Sequence, residues 1–205
     1  MLFNQTGNHM KKYIIFFFII FLVIVSFGMT GSKKKPVQTV PDKNELAQIA
    51  YANQKVINDS IKKYHRGELL MFLTDIGYRE SSNRYDVVNK WGYMGKYQFG
   101  RSTLKGLGYD VSKKEFLSNH DLQEEAMMAL LNHNKEKLQK YIDIFDGKNV
   151  NGIYITESGI LAAAHLGGQG SVKRFFKNGR VFRDGNGTKI TSYMEKFSGY
   201  DIALN

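Results

Sequence analysis

Leu69, Phe72, Leu73 and Ile76 recur at helical intervals, and Glu80 falls on the same line one turn further on. At about 3.6 residues per turn these side chains share one face. The chain is therefore predicted to carry an apolar helical stripe that ends on a carboxyl group. A carboxyl there is partly out of water and lies at the negative end of the helix dipole. Both effects disfavour its charged form. The alternative is that the helix stops a turn earlier, near Gly77, leaving Glu80 a solvated surface acid.

Other helical patterns surround this one. Asp42 can cap a helix over roughly 43–65, with Leu46, Ile49, Ala50, Ile57, Ile61 and Tyr64 on a face that wants a partner. Leu122, Ala126, Ala129, Leu130, Leu138, Tyr141, Ile142 and Phe145 mark a long helix starting near Ser118. A third helix follows Thr156, covers Ile160 to Leu166 and stops at Gly167-Gly168. Ser171 can cap a short helix ending at Gly179. Strand signals are sparse: Val181-Phe182-Arg183 and Thr188-Lys189-Ile190 flank a turn at Asp184-Gly185-Asn186-Gly187, which predicts a hairpin. The fold class is mainly α, with a small β-hairpin.

Composition narrows the function classes. The chain has 205 residues, no cysteine, and a formal net charge of +10. Disulfides, thiolate metal sites and a cysteine nucleophile are excluded. The positive charge favours an anionic partner.

The amino-terminal thirty residues read differently from the rest. Lys11 and Lys12 precede an uncharged run from Tyr13 to Met29 centred on Phe16 to Val25, the pattern of an export signal. The run is also long enough for a short membrane-spanning helix, and Lys33, Lys34 and Lys35 beyond it leave orientation balanced. Ser26-Phe27-Gly28 offers a cleavage site, so removal and retention as an anchor both stay open. The expected organisation is a signal or anchor over 1–30, a linker and accessory helix over 31–66, and the main globular domain over 67–205. Export argues against nucleic acid as the anionic partner.

Downstream of Glu80-Ser81 come Trp91-Gly92-Tyr93-Met94-Gly95-Lys96-Tyr97-Gln98 and, later, Ala162-Ala163-Ala164-His165-Leu166-Gly167-Gly168. The glycines let backbone turn and approach a ligand closely. Trp91, Tyr93 and Tyr97 offer faces on which a sugar ring can stack, although Trp91 and Tyr97 could equally fill a core. Gln98 offers a donor and an acceptor to an acetamido group.

In order and spacing these segments resemble the signatures of the lysozyme-like lytic transglycosylases, a superfamily that includes goose-type lysozyme. The resemblance covers roughly residues 67–200. It implies a lysozyme-like helical domain in which Glu80 is the catalytic acid and Ser81 its hydrogen-bonding neighbour. It further implies that Gln98 contacts the sugar and that His165 stands where the family has Asn, beside the acid. Tyr193 matches the late tyrosine of the pattern, and it would join the substrate contacts together with Ser81 and Tyr97. Lys96 and Tyr97 depart from the family's turn, and Ala164-His165 from its Tyr-Asn.

The implied substrate is the peptidoglycan glycan strand, cut between N-acetylmuramic acid and N-acetylglucosamine. One acid suffices if the muramyl 6-hydroxyl attacks and leaves a 1,6-anhydro end. A hydrolase would recruit a second carboxylate, for which Asp86, Asp110 and Asp121 are candidates without a distinctive setting. A membrane-anchored, non-catalytic wall-binding module is the rival from another class. No cofactor or metal is expected: His120 and His133 lack metal spacing, Asp184-x-Asn186 lacks the remaining calcium ligands, and Gly167–Gly170 lacks the lysine of a phosphate loop. The protein is expected to act as an exported monomer, with the membrane as a partner through its leader.

Overall fold

The computed structural model describes residues 42–204. The leader and linker expectations for residues 1–41 lie outside them. Among the described residues no helix is long and apolar enough to cross a membrane.

The fold is mainly α-helical. In chain order it contains α1 (Lys43–Ser81), α2 (Arg101–Gly106), α3 (Lys113–Ser118), α4 (His120–Phe145), β1 (Asn149–Val150), β2 (Ile153–Tyr154), α5 (Glu157–Gly167), α6 (Gln169–Asn178) and α7 (Ile190–Lys196). Two compact units divide between Ile49 and Ala50. In the first, Asp42 caps α1 as expected, its Oδ1 accepting from the Glu45 amide at 2.8 Å. The second unit spans Ala50–Asn205.

Helix α1 does not break near residue 66, where the sequence suggests two helices. Gly67 is the only weak former there, and a glycine costs about 1 kcal/mol in a helix, too little to interrupt the strong formers around it. Ile57 and Ile61 on its early face are exposed, and burial begins at Phe72. The stripe continues through Leu73 and Ile76, and the helix ends only at Ser81, so Glu80 sits in its last turn.

The core centres on α5, buried from Ser158 to Ala164. A helix apolar on every side must be surrounded, and α5 packs against α4, α6 and α7. Thr156 caps it, accepting from the Gly159 amide at 3.1 Å. Helix α6 starts at Gln169 from Gly168, two residues ahead of the expected Ser171 cap, because Gly168 takes a positive φ of 74° and restarts the chain at once. Ser171 is instead buried in the first turn.

The only two-stranded sheet among the described residues is β1–β2, antiparallel, with Val150 opposite Ile153. Its turn is Asn151-Gly152, with φ of 52° and 83°. These are the left-handed conformations that a two-residue hairpin demands and that Asn-Gly supplies. The hairpin expected over 181–190 closes with a single bridge, Arg183 to Lys189. There Asp184 Oδ1 takes the amides of Asn186 and Thr188 at 2.9 and 2.7 Å, so a side chain holds the turn where a ladder would have begun.

Candidate active site

Three helices converge on Glu80. Tyr193 on α7 donates its phenolic hydrogen to Glu80 Oε1 at 2.5 Å, across 113 positions. His165, near the end of α5, places Nε2 3.9 Å from the same oxygen. The Glu80 side chain is 16% exposed and that of His165 only 7%. Burial holds the Tyr193 phenol well above its ordinary range, and the neighbouring Glu80 charge pushes the same way. Tyr193 therefore remains a donor at any physiological pH. Burial also lowers the imidazole of His165 below its ordinary value, against an opposing pull from Glu80. The imidazole faces the carboxyl as a neutral group.

The chain behind Glu80 is fixed tightly. Ser82 and Asn83 take left-handed φ of 57° and 60° and end α1. Ser81 Oγ donates to the Lys96 carbonyl at 2.8 Å and accepts from the Arg84 amide at 3.0 Å. This ties the helix end to the following turn. Ser81 is buried and lines no cavity with Glu80, so its place is in the scaffold and not, as the resemblance implied, at the substrate.

The turn over 92–98 is pinned from α4. Gln123 is fully buried; its Oε1 accepts from the Lys96 amide at 2.8 Å, and its Nε2 donates to the carbonyls of Tyr85 and Phe116. Gly95 has φ of 74°, and a Cβ there would stand 2.0 Å from Gln123 Oε1. Only glycine fits both the conformation and the space. Gln98 folds back so that its Nε2 donates to the Gly95 carbonyl at 2.8 Å, and its Oε1 has no hydrogen-bond partner among the described residues.

Glu80 lies at a cleft of about 320 Å³. Trp91 and Tyr93, 45% and 46% exposed, form one part of its lining together with Asn89 and Gln98. His165, Leu166 and Phe182 form another, and the Asp184-Gly185-Asn186 turn completes it. Asn89 Oδ1 accepts from the Trp91 and Tyr93 amides at 2.9 and 3.1 Å, so one side chain sets both aromatic residues. Gly185 lies against the Trp91 ring, where a Cβ would meet Cζ2 at 3.3 Å.

Of the residues singled out from sequence, Glu80, Gln98 and His165 line this cleft, and Tyr193 is bonded to Glu80. Tyr97 does not belong to it. Its ring is 0% exposed and its hydroxyl donates to Glu124 Oε2 at 2.6 Å, so it is a core residue, not a platform for sugar. Lys96 Nζ and the Tyr85 hydroxyl reach Glu124 Oε1 at 2.7 and 2.6 Å and complete a half-buried polar cluster. Asp86, Asp110 and Asp121 are exposed and line none of the cleft. The second carboxylate present there is Asp184, which sequence reasoning placed only in a turn. Among the described residues no three His, Asp or Glu side chains are grouped to hold a metal ion.

No model of a protein family, no characterised protein and no solved structure matches this chain.

Proposed function

We propose that this protein cleaves the β-1,4 bond between N-acetylmuramic acid and N-acetylglucosamine in peptidoglycan, as a lysozyme-like lytic transglycosylase. The observation that carries the reading is the Tyr193–Glu80 hydrogen bond at a cleft walled by exposed aromatics. In the protonated acid, Oε1 accepts from Tyr193 and Oε2 carries the hydrogen. That hydrogen passes to the glycosidic oxygen as the C1–O bond breaks. The acetamido group of the muramyl residue stabilises the cation-like C1. Glu80, now a carboxylate, then takes the proton of the muramyl 6-hydroxyl as O6 bonds to C1. The product is a 1,6-anhydro end, and no water is consumed.

Trp91 and Tyr93 supply stacking surface for successive sugar rings, and Gln98 Oε1 is a free acceptor for an amide N–H. The fold reading rests on the three segments named from sequence: the α1 terminus, the 92–98 turn and α5 all contribute side chains to one cleft. Export through the amino-terminal segment, either cleaved or kept as a membrane anchor, brings the enzyme to the wall outside the inner membrane. The glycan strand is the partner, nucleic acid is not, and the enzyme acts as a monomer.

Hydrolysis of the same bond is the second reading, and Asp184 in the cleft lining favours it. A carboxylate there could activate water. Mass spectrometry of a muropeptide digest separates the two, since an anhydro end is lighter by one water than a reducing end. Reducing ends alone would replace the transglycosylase with a hydrolase. Glu80→Gln tests catalysis itself: cleavage stops while saccharide binding persists. A protein that never releases muropeptides in either form would be a binding module.

A further inference from the structure

Beside the cleft lies a second hollow of about 320 Å³, walled by Arg174, Arg180, Val181, Phe182 and Arg183. Phe182 lines both spaces. Three arginines line it, and among the described residues none has a guanidinium within 4.0 Å of a carboxylate. Two are held in place by neutral acceptors. Arg174 Nη2 donates to the buried Ser171 Oγ at 2.9 Å, and Arg183 Nη1 to the Gly187 carbonyl at 3.1 Å. The Arg180 guanidinium has no partner among the described residues; only its backbone amide is tied, to Asn178 Oδ1 at 3.2 Å.

All three arginines are exposed to solvent. They nevertheless line one concavity without a counter-charge, a setting that an anion would complete. Guanidinium is suited to it, because its planar fork pairs two N–H groups with two oxygens of a carboxylate or phosphate. We infer that this hollow binds an oxyanion attached to the same glycan strand that occupies the cleft, so that the enzyme prefers strands carrying an anionic appendage. The inference rests on the cleft being a saccharide site. Two sources share the chemistry: a carboxylate of the peptide stem on the muramyl residue, and a phosphodiester of a wall polymer linked to the strand.

Trp91 is the chain's only tryptophan and lies in the cleft, so its fluorescence reports saccharide binding. The titration uses the full chain and four glycan oligomers of matched length: a neutral chitin oligomer, a peptidoglycan fragment with free stem carboxylates, the same fragment amidated, and a strand bearing wall-polymer phosphodiester. One anionic form should bind on the order of tenfold tighter than the neutral oligomer, with the gain fading as salt rises. Loss of the gain on amidation identifies the stem, and its appearance only with the phosphodiester identifies the wall polymer. Arg180→Gln should abolish the gain without altering affinity for the chitin oligomer, and Arg180→Lys should keep part of it. Arg180 bonds nothing through its side chain, so an unchanged unfolding midpoint certifies each variant. Equal binding of neutral and anionic oligomers overturns the inference, as does a gain that survives Arg180→Gln. If the cleft reading is wrong, even the chitin oligomer leaves Trp91 fluorescence unchanged, which removes the inference as well but by a distinct signature.

Discussion

The Tyr193 hydroxyl reaches Glu80 Oε1 at 2.5 Å and leaves Oε2 as the oxygen without a partner among the described residues. That asymmetry decides which oxygen of the carboxyl can face a substrate. It also ties α7, the last helix, to the end of α1, so the site exists only when both helices have packed.

Removing the phenol should therefore damage catalysis more than binding. In Tyr193→Phe the ring stays in the core beside Phe197, and only the hydrogen bond is lost. Stability should fall by about 1 kcal/mol, the usual worth of such a bond. Muropeptide release should drop about 10- to 100-fold through kcat, because a carboxyl free to rotate spends less time in the productive pose. Steady-state kinetics on purified peptidoglycan, with Trp91 fluorescence for binding, checks this. A loss confined to KM would show that the phenol contacts sugar and does not orient the acid.

His165 gives the fold an acid-sensitive element. Burial lowers its folded pKa below the unfolded value of about 6.5. The unfolded chain therefore binds more protons between those two values, so stability falls as pH drops through about 6.5 and levels off below the folded pKa. His165→Gln, which cannot titrate, should flatten this part of the curve. Urea midpoints measured from pH 7.5 to 5 provide the check, and an unchanged slope in the variant would assign the acid sensitivity elsewhere.

Glu124 is shifted in the same direction, and the sign of its effect is therefore the same. Burial acts to raise its pKa, yet hydrogen bonds from Lys96, Tyr85 and Tyr97 outweigh it and leave the carboxyl below its ordinary range. A lowered folded pKa contributes stability above the unfolded value, near 4.5, and that contribution is lost as pH falls further through the folded one. Tyr85, pushed up to about 12 first by its own burial, stays a donor throughout. Lys96→Met removes the cation but keeps the stem, and should cost about 2 kcal/mol at pH 7 by leaving Glu124 short of a partner. The deficit should shrink as pH falls through the lowered folded pKa of Glu124, where the carboxyl takes up its proton. Paired denaturant titrations of wild type and variant at pH 7 and 3.5 test this, and an equal deficit at both would show that packing and not charge is responsible.

The same cluster shows how far the sequence was legible. Helical periodicity located the stripe leading to Glu80, and the order of three segments located Gln98 and His165, because each signal is local. Tyr97 could not be placed that way. An aromatic beside glycines looks the same whether it meets sugar or core, and only Glu124, 27 positions later, accounts for its burial. Lys96 and Tyr97, which depart together from the family's turn, are also explained together: both bond the same carboxylate. Asn151-Gly152 was a readable hairpin signal, obscured by strands only two residues long. Asp184 read as a turn residue and is one; that its turn also borders the cleft depends on Trp91 lying against Gly185, a contact no spacing rule foresees.

Gly159 offers a test of the packing that brings Tyr193 to Glu80. It lies in the first turn of α5, where a Cβ would come 2.5 Å from the Met194 carbonyl oxygen and 3.2 Å from the Met194 Cα. The obstacle is backbone, so no side-chain rotation relieves it. Gly159→Ala would normally favour a helix by about 1 kcal/mol. Here α7 must move away from α5 instead, and strain of this kind costs about 1–3 kcal/mol. The net change should be destabilising, and the displacement should be passed to Tyr193, next to Met194 in α7. Activity should therefore fall further than the population of folded protein does, with little change in affinity for a chitin oligomer. Thermal unfolding and muropeptide release on the same preparation measure the two effects. A variant more stable than wild type would mean that α5 and α7 are not in this close contact.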